Sequence, residues 1–267
     1  MNRLITLLLI FMLGGQLALC PQPEANPQLQ ADMARLDALR SASSLETLRA
    51  QIDQDASKWR KTDRNAYVEY MRKACGTLSS YDIGDQSKRA VLLSEYSLGV
   101  LSSNELPLQE YVHFVEFLSL DPLTMDEAAW KNLRSRKARL WLEGWRRVSR
   151  AVDPNFDFND RPELNVSPPR STGLPPGVSP VAIQNPQLRT EYENAIAENR
   201  AKNQRYTEQN WLKLNAPSFY AEIERYLVNA YTRQPSDLEE LQHYLAEYVD
   251  PATRDRVLQK VRKSQPE

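Results

Sequence analysis

Histidine, cysteine and glycine are scarce in this 267-residue sequence, with two, two and eight copies. Each scarcity excludes something. Two cysteines, Cys20 and Cys75, allow one disulfide at most, so the fold cannot lean on a cross-linked framework and must be held by its core. Two of the eight glycines fall in the first fifteen residues. Folds built from tight turns or phosphate-cradling loops need glycine for its positive φ angles, whereas a helical protein manages with few. Neither a G-x-S-x-G elbow, a phosphate loop, a G-x-G-x-x-G turn nor an H-E-x-x-H helix occurs. The formal net charge of −1 shows no excess of one sign that would draw the whole chain to nucleic acid. No cofactor is expected.

Long apolar runs are also missing, with one exception. Arg3 precedes Leu4–Leu13, interrupted only by Thr6 and followed by Gly14-Gly15 and Leu17-Ala18-Leu19-Cys20. The order of basic, apolar and small-residue regions predicts an export signal over residues 1–20. The run is shorter than the roughly 20 residues of a membrane span. Leu17–Cys20 resembles a bacterial lipoprotein box, with Leu19 standing where that box takes Gly, Ala or Ser. The resemblance implies lipidation of Cys20, and the departure at Leu19 favours a soluble exported form. The expected location is therefore extracytoplasmic, periplasmic or secreted, with attachment to the membrane through an uncleaved signal anchor or a lipid on Cys20 as the alternative.

Beyond Pro21 the apolar residues recur at helical spacing and no period-2 alternation persists, which predicts an all-α fold of irregular helical bundles. Helices are expected near 28–40, 44–58, 63–78, 86–103, 107–120, 125–151, 187–214, 217–233, 237–248 and 251–263. Ser43-x-x-Glu46, Thr124-x-x-Glu127 and Ser236-x-x-Glu239 read as capping boxes. Asp121-Pro122, Asp153-Pro154 and Asp250-Pro251 place a capping acid before a residue whose missing N–H costs nothing in a first turn. Pro217 is expected to break or kink the long pattern from Pro186 to Arg233. Residues 154–185, with seven prolines and two glycines, read as an extended connector draped over the surface. They divide the chain into an N-terminal helical domain at 21–153 and a C-terminal helical region at 186–267.

The densest charge lies in W130-K-N-L-R-S-R-K-A-R-L-W-L-E-G-W-R-R-V-S-R150. Residues 131–150 hold eight bases and one acid, against 12 bases and 17 acids in residues 1–130. On a helix, Trp130, Leu133, Leu140, Trp141, Gly144, Trp145 and Val148 share one side. Arg136, Arg139, Arg146, Arg147 and Arg150 share the opposite side, and Lys137 intrudes on the apolar stripe. Single-strand nucleic-acid surfaces place aromatics and cations together, so this separation points away from them. Gly144 on the apolar side costs about 1 kcal/mol against Ala, which implies a closely approaching neighbour and a helix packed in its own domain. The five arginines are the candidate contact surface, for an unknown protein or an anionic envelope surface. A helix lying on a membrane by its Trp face is the competing reading.

Both histidines follow a glutamate by three residues, Glu110–His113 and Glu240–His243. Such pairs resemble the Glu-x-x-His motifs of ferritin-like di-metal bundles, which would make these four residues metal-ligand candidates. Each histidine nonetheless falls off the apolar stripe of its helix, which favours solvated polar faces. Cys75 lies on the Tyr67, Met71 and Leu78 face and reads as a small core residue rather than a nucleophile. The function expected is binding by an exported, non-catalytic helical protein. The alternative is an extracytoplasmic hydrolase or Glu/His metal-dependent enzyme whose carboxylates come from distant helices.

Overall fold

A computed structural model describes residues 26–42, 44–81, 86–103, 106–119, 127–232 and 237–264. The expected export signal over residues 1–20, with Cys20, lies outside them. Among the described residues there are nine α-helices and no strand. They are α1 (Pro27–Ala42), α2 (Leu45–Thr62), α3 (Arg64–Ser79), α4 (Gln86–Ser103), α5 (Leu108–Glu116), α6 (Glu127–Ala151), α7 (Pro186–Tyr231), α8 (Leu238–Tyr248) and α9 (Pro251–Ser264).

The helix boundaries follow from local chemistry. The Ser44 hydroxyl accepts from Thr47 N–H at 3.3 Å, so α2 is capped one residue later than the Ser43 box predicts. Asp63 serves two helices. Its N–H closes on Trp59 O at 2.9 Å and ends α2, while its carboxylate accepts from the N–H groups of Asn65 and Ala66 and starts α3. Asp250 caps α9 through Thr253 N–H at 3.0 Å. Asp153 instead closes a turn, accepting from Asn155 and Phe156 N–H, and no helix follows it. Thr124, Ser236 and Asp121-Pro122 lie outside the described residues.

Pro217 does not break its helix: α7 is continuous across it. The missing N–H and the ring clash cost about 3 kcal/mol or more. Leu212, Phe219 and Ile223, all buried on either side of the proline, each contribute about 1.5–3 kcal/mol by burial and outweigh that cost.

The described chain divides into two compact units. The larger comprises Gln28–Phe158 and Thr207–Glu267. A single apolar cluster runs through it, from Leu29 and Leu36 on α1 to Val257 and Val261 on α9. Within it α2 packs on α3, α3 on α4, α4 on α5, α5 on α6, α6 on α8 and α8 on α9. The division therefore does not follow the composition boundaries at 154 and 185. Among the described residues of 207–264, Phe219, Tyr226 and Leu245 are buried in the same cluster as Trp141 and Val148.

The smaller unit contains Asn159–Tyr206. Its proline-rich part carries only short 3₁₀ turns at Arg170–Thr172 and Pro180–Ala182, yet it is bonded along the first half of α7. Lys202 pairs with Asp160, and the Asn199 carboxamide bonds both the N–H and the C=O of Glu163, at 3.1 and 2.9 Å. Tyr192 donates to Val166 O at 3.0 Å, and Arg189 donates twice to Ile183 O. Partner numbers on α7 fall as segment numbers rise, so the strap runs antiparallel to its helix. Only a few residues of this unit, among them Ile183 and Tyr192, are fully buried.

Candidate functional site

The basic helix α6 is positioned from three sides. Its apolar stripe is consumed by the core: Trp141, Leu142, Trp145 and Val148 are all buried. Trp141 lies against Phe219 and Tyr226 of α7, with ring centroids 5.7 and 5.8 Å apart, and Trp145 lies 4.5 Å from Tyr220. Gly144 faces Phe219 and Tyr111 so closely that a Cβ there would stand 2.9 Å from the Phe219 ring. The close approach inferred from that glycine is present. At the C-terminus the Gln209 carboxamide donates to Ala151 O at 2.8 Å and accepts from Asp153 N–H at 3.0 Å, satisfying groups that a helix end leaves open.

The second side is a polar seam with α8. Arg134, 2% exposed, pairs with the fully buried Asp237 and donates to Glu240 at 3.0 Å. Lys131 reaches the other Asp237 oxygen at 3.3 Å, and Ser135 and Tyr244 both donate to Glu240. Further along, Arg139 lies over the Tyr244 ring at 4.9 Å and Arg146 over Tyr248 at 5.0 Å. Contacts advance along both helices together, so α6 and α8 run parallel through this seam. Burial alone would raise the Asp237 pKa, but Arg134 and Lys131 outweigh it and hold the carboxyl below the usual range.

This seam corrects the picture of one solvated basic face. Arg147 donates to Leu106 O at 2.6 Å and stacks over Tyr111, while Arg146 pairs with Glu143. Both therefore serve internal packing. Lys137 is fully buried. Arg136 and Arg150 are exposed and have no carboxylate partner among the described residues; Arg139 is exposed with its guanidinium held by Tyr244. The acids that pair with Lys131 and Arg134 are Asp237 and Glu240 of the C-terminal part. Sequence spacing could not identify Asp237 and Glu240, more than a hundred residues away, as partners of Arg134.

The four metal-ligand candidates are not brought together. Glu240 is occupied by Arg134, Ser135 and Tyr244, and the His243 side chain on the same helix is exposed. Glu110 pairs with Arg72 at 3.4 Å across a groove between α3 and the start of α5. His113 packs edge-on to Phe117, with its Nδ1 4.0 Å from Glu116. Burial, then the Arg72 charge, push the His113 pKa down. Burial, then Glu222, push Glu116 up to about 7 although half of that side chain meets solvent. Among the described residues no group of three or more His, Cys, Asp or Glu could hold a metal ion.

Carboxylates from different helices are also brought near one another at Asp32 on α1 and Asp55 on α2, which share Arg35. Asp32 accepts from Gln28, Lys58 and Trp59 and pairs with Arg35; Asp55 accepts from Gln51 and Tyr70, with Arg35 3.7 Å away. Burial opposes ionisation of Asp32, yet Lys58, Gln28 and Arg35 keep its pKa below normal. A general acid needs the reverse shift. Cys75 is fully buried, 3.8 Å from Ser97, and burial raises its thiol to about 12, leaving no thiolate at neutral pH. No helix is long and apolar enough to cross a membrane among the described residues. No family model, curated protein or solved structure matches this chain.

Proposed function

We propose that this chain is an exported, non-catalytic helical protein that acts by binding in an extracytoplasmic or envelope compartment, with α6 as its contact element. One observation carries the contact surface. On a helix whose aromatic side is committed to the core, Arg136 and Arg150 project into solvent without a carboxylate partner among the described residues, and Tyr244 holds Arg139 beside them. Ordinary surface arginines are interspersed with acids at helical spacing. Here, after the internal pairs are satisfied, uncompensated positive charge remains on one stretch of one helix.

The preference for binding over catalysis draws on the occupancy of two buried polar clusters. The Asp32–Asp55 and Asp237–Glu240 clusters are occupied by donors from their own unit, and the single described cysteine is a buried thiol. Export rests on the apolar N-terminal run with its preceding Arg3.

The test has two parts. Intact mass of the mature protein from separated soluble and detergent fractions of its own cells is expected to show a soluble species beginning near Pro21. A detergent-phase species starting at Cys20 with added acyl mass would make it a lipoprotein, and an unprocessed chain in the cytosol would overturn export. Photo-crosslinking from positions 136 and 150 in intact cells is expected to capture an envelope component. Capture of nothing at these positions, with efficient capture elsewhere on the surface, would overturn the contact surface.

A further inference from the structure

Resting on that reading, we infer that the partner of α6 is a planar anionic lipid surface, contacted by charge alone and without insertion of the helix. Three features of the same helix lead there. At roughly 100° per residue, Arg136, Arg139 and Arg150 lie within about 60° of one another, and Asn132 falls in the same sector. The span from Arg136 to Arg150 is about 21 Å at the usual helical rise. Cations so spread along a line do not converge on one phosphate ion; they match a repeated array of monoanionic groups.

The second feature is what the stripe lacks. Arg147 and Glu143 lie in the same sector, but Arg147 is held by Leu106 O and Tyr111, and Glu143 is paired with Arg146. No large apolar side chain is exposed on α6. A protein partner is normally anchored by a desolvated aromatic or aliphatic side chain, and none is offered here. Nucleic acid would want aromatic faces beside the cations, and all three α6 tryptophans lie on the opposite side, Trp141 and Trp145 buried and Trp130 half-buried.

The third feature distinguishes this contact from an amphipathic surface helix. Such helices bury a Trp- and Leu-rich face among the acyl chains. In α6 that face is packed against Phe219, Tyr220 and Tyr226, so entering the bilayer would require unfolding the core. The attraction is therefore electrostatic, salt-sensitive and confined to the headgroup layer.

The test uses the mature protein as purified from its cells, with vesicles of equal parts phosphatidylglycerol and phosphatidylcholine and with pure phosphatidylcholine as baseline. Any anchor at the N-terminus contributes equally to all variants. Wild type is expected to partition onto the anionic vesicles at low salt, to be released at high salt, and to keep its tryptophan emission unchanged. R136E/R139E/R150E is expected to lose on the order of a hundredfold in partitioning, from the usual contribution per basic residue. R136E/R150E, which leaves the Arg139–Tyr244 contact intact, is expected to lose a large part of that. Equal partitioning of wild type and both variants would overturn the proposal, and so would a blue-shifted emission that resists salt. If wild type ignores anionic vesicles while crosslinking from position 136 captures a protein, the lipid inference fails and the binding reading stands. If both are negative, both fail.

Discussion

Adding one methyl group at Gly144 should destabilise the protein, although Ala is the better helix former. An ideal Cβ at this position stands 2.9 Å from Cζ and 3.3 Å from Cε1 of Phe219, and 3.3 Å from Cε1 of Tyr111. Neither ring is the free end of a flexible side chain. Phe219 is wedged against Trp141, and the Tyr111 hydroxyl is tied to Leu140 O at 2.9 Å. Optimal carbon–carbon contact lies near 3.5–4.0 Å, so the Phe219 ring must retreat by about half an ångström or more. Overpacking of this kind costs about 1–3 kcal/mol, and replacing a mid-helix glycine returns about 1 kcal/mol. Gly144→Ala is thus expected to lose about 1 kcal/mol net.

Gly76 and Gly99 provide the control, since a Cβ at either meets nothing within 4 Å. Gly76→Ala and Gly99→Ala are expected to gain up to about 1 kcal/mol each, opposite in sign to Gly144→Ala. Urea unfolding followed by far-UV circular dichroism measures this, with the midpoint shifting and the slope unchanged. If Gly144→Ala stabilises as much as Gly99→Ala, the close approach of α6 to α5 and α7 is wrong. The interior reading of the basic helix then falls with it.

Arg134→Met should cost about 3–5 kcal/mol, because it leaves buried Asp237 with Lys131 alone. Arg134→Met/Asp237→Asn should recover part of that loss in a double-mutant cycle read by urea unfolding; additive single effects would refute the pairing. The native pKa of Asp237 is depressed, so its contribution is present above the ordinary Asp range and disappears as pH falls through the native value. Glu116 has the opposite sign: held up to about 7 in the native state, it makes stability fall as pH rises from the usual Glu range towards 7. The lowered pKa of His113 opposes this below the ordinary His value, since native His113 binds fewer protons there than the unfolded chain. Glu116→Gln should therefore raise the melting temperature at about pH 8 and confer little at about pH 4. With half the side chain in water the gain is small and shrinks with salt, and an equal gain at both pH values would refute the assignment.

The legibility of the chain tracks the range of the interaction concerned. Helix positions were accessible because they depend on neighbours three and four residues apart. The spacing of Leu45, Leu48, Ile52 and Trp59 is itself the buried face of α2. Expectations that weighed a local cost against a distant gain went astray. Pro217 reads as a helix break until Leu212, Phe219 and Ile223 are seen buried beside it. Residues 154–185 read as a connector because proline suppresses periodic structure, and bonds from Asn199, Tyr192 and Arg189 fasten Glu163, Val166 and Ile183 of that stretch to the helix that follows it.

The candidate surface divides in the same way. The opposition of Trp141, Gly144 and Trp145 to the arginines, and hence the buried side of α6, follows from helical geometry alone. So does the close approach at Gly144, since a glycine costs helix stability wherever nothing requires it. Which arginines remain available could not follow from geometry within one helix. Arg134, Arg146 and Arg147 are withdrawn by Asp237, Tyr248 and Leu106, whose nearness is a property of packed helices rather than of sequence separation. By itself the sequence determined a helical protein with one strongly basic, aromatic-backed helix. Only the tertiary structure decided which charges are satisfied inside and which face outward, because charge pairing acts through space and depends on distance in the fold, not on separation along the chain.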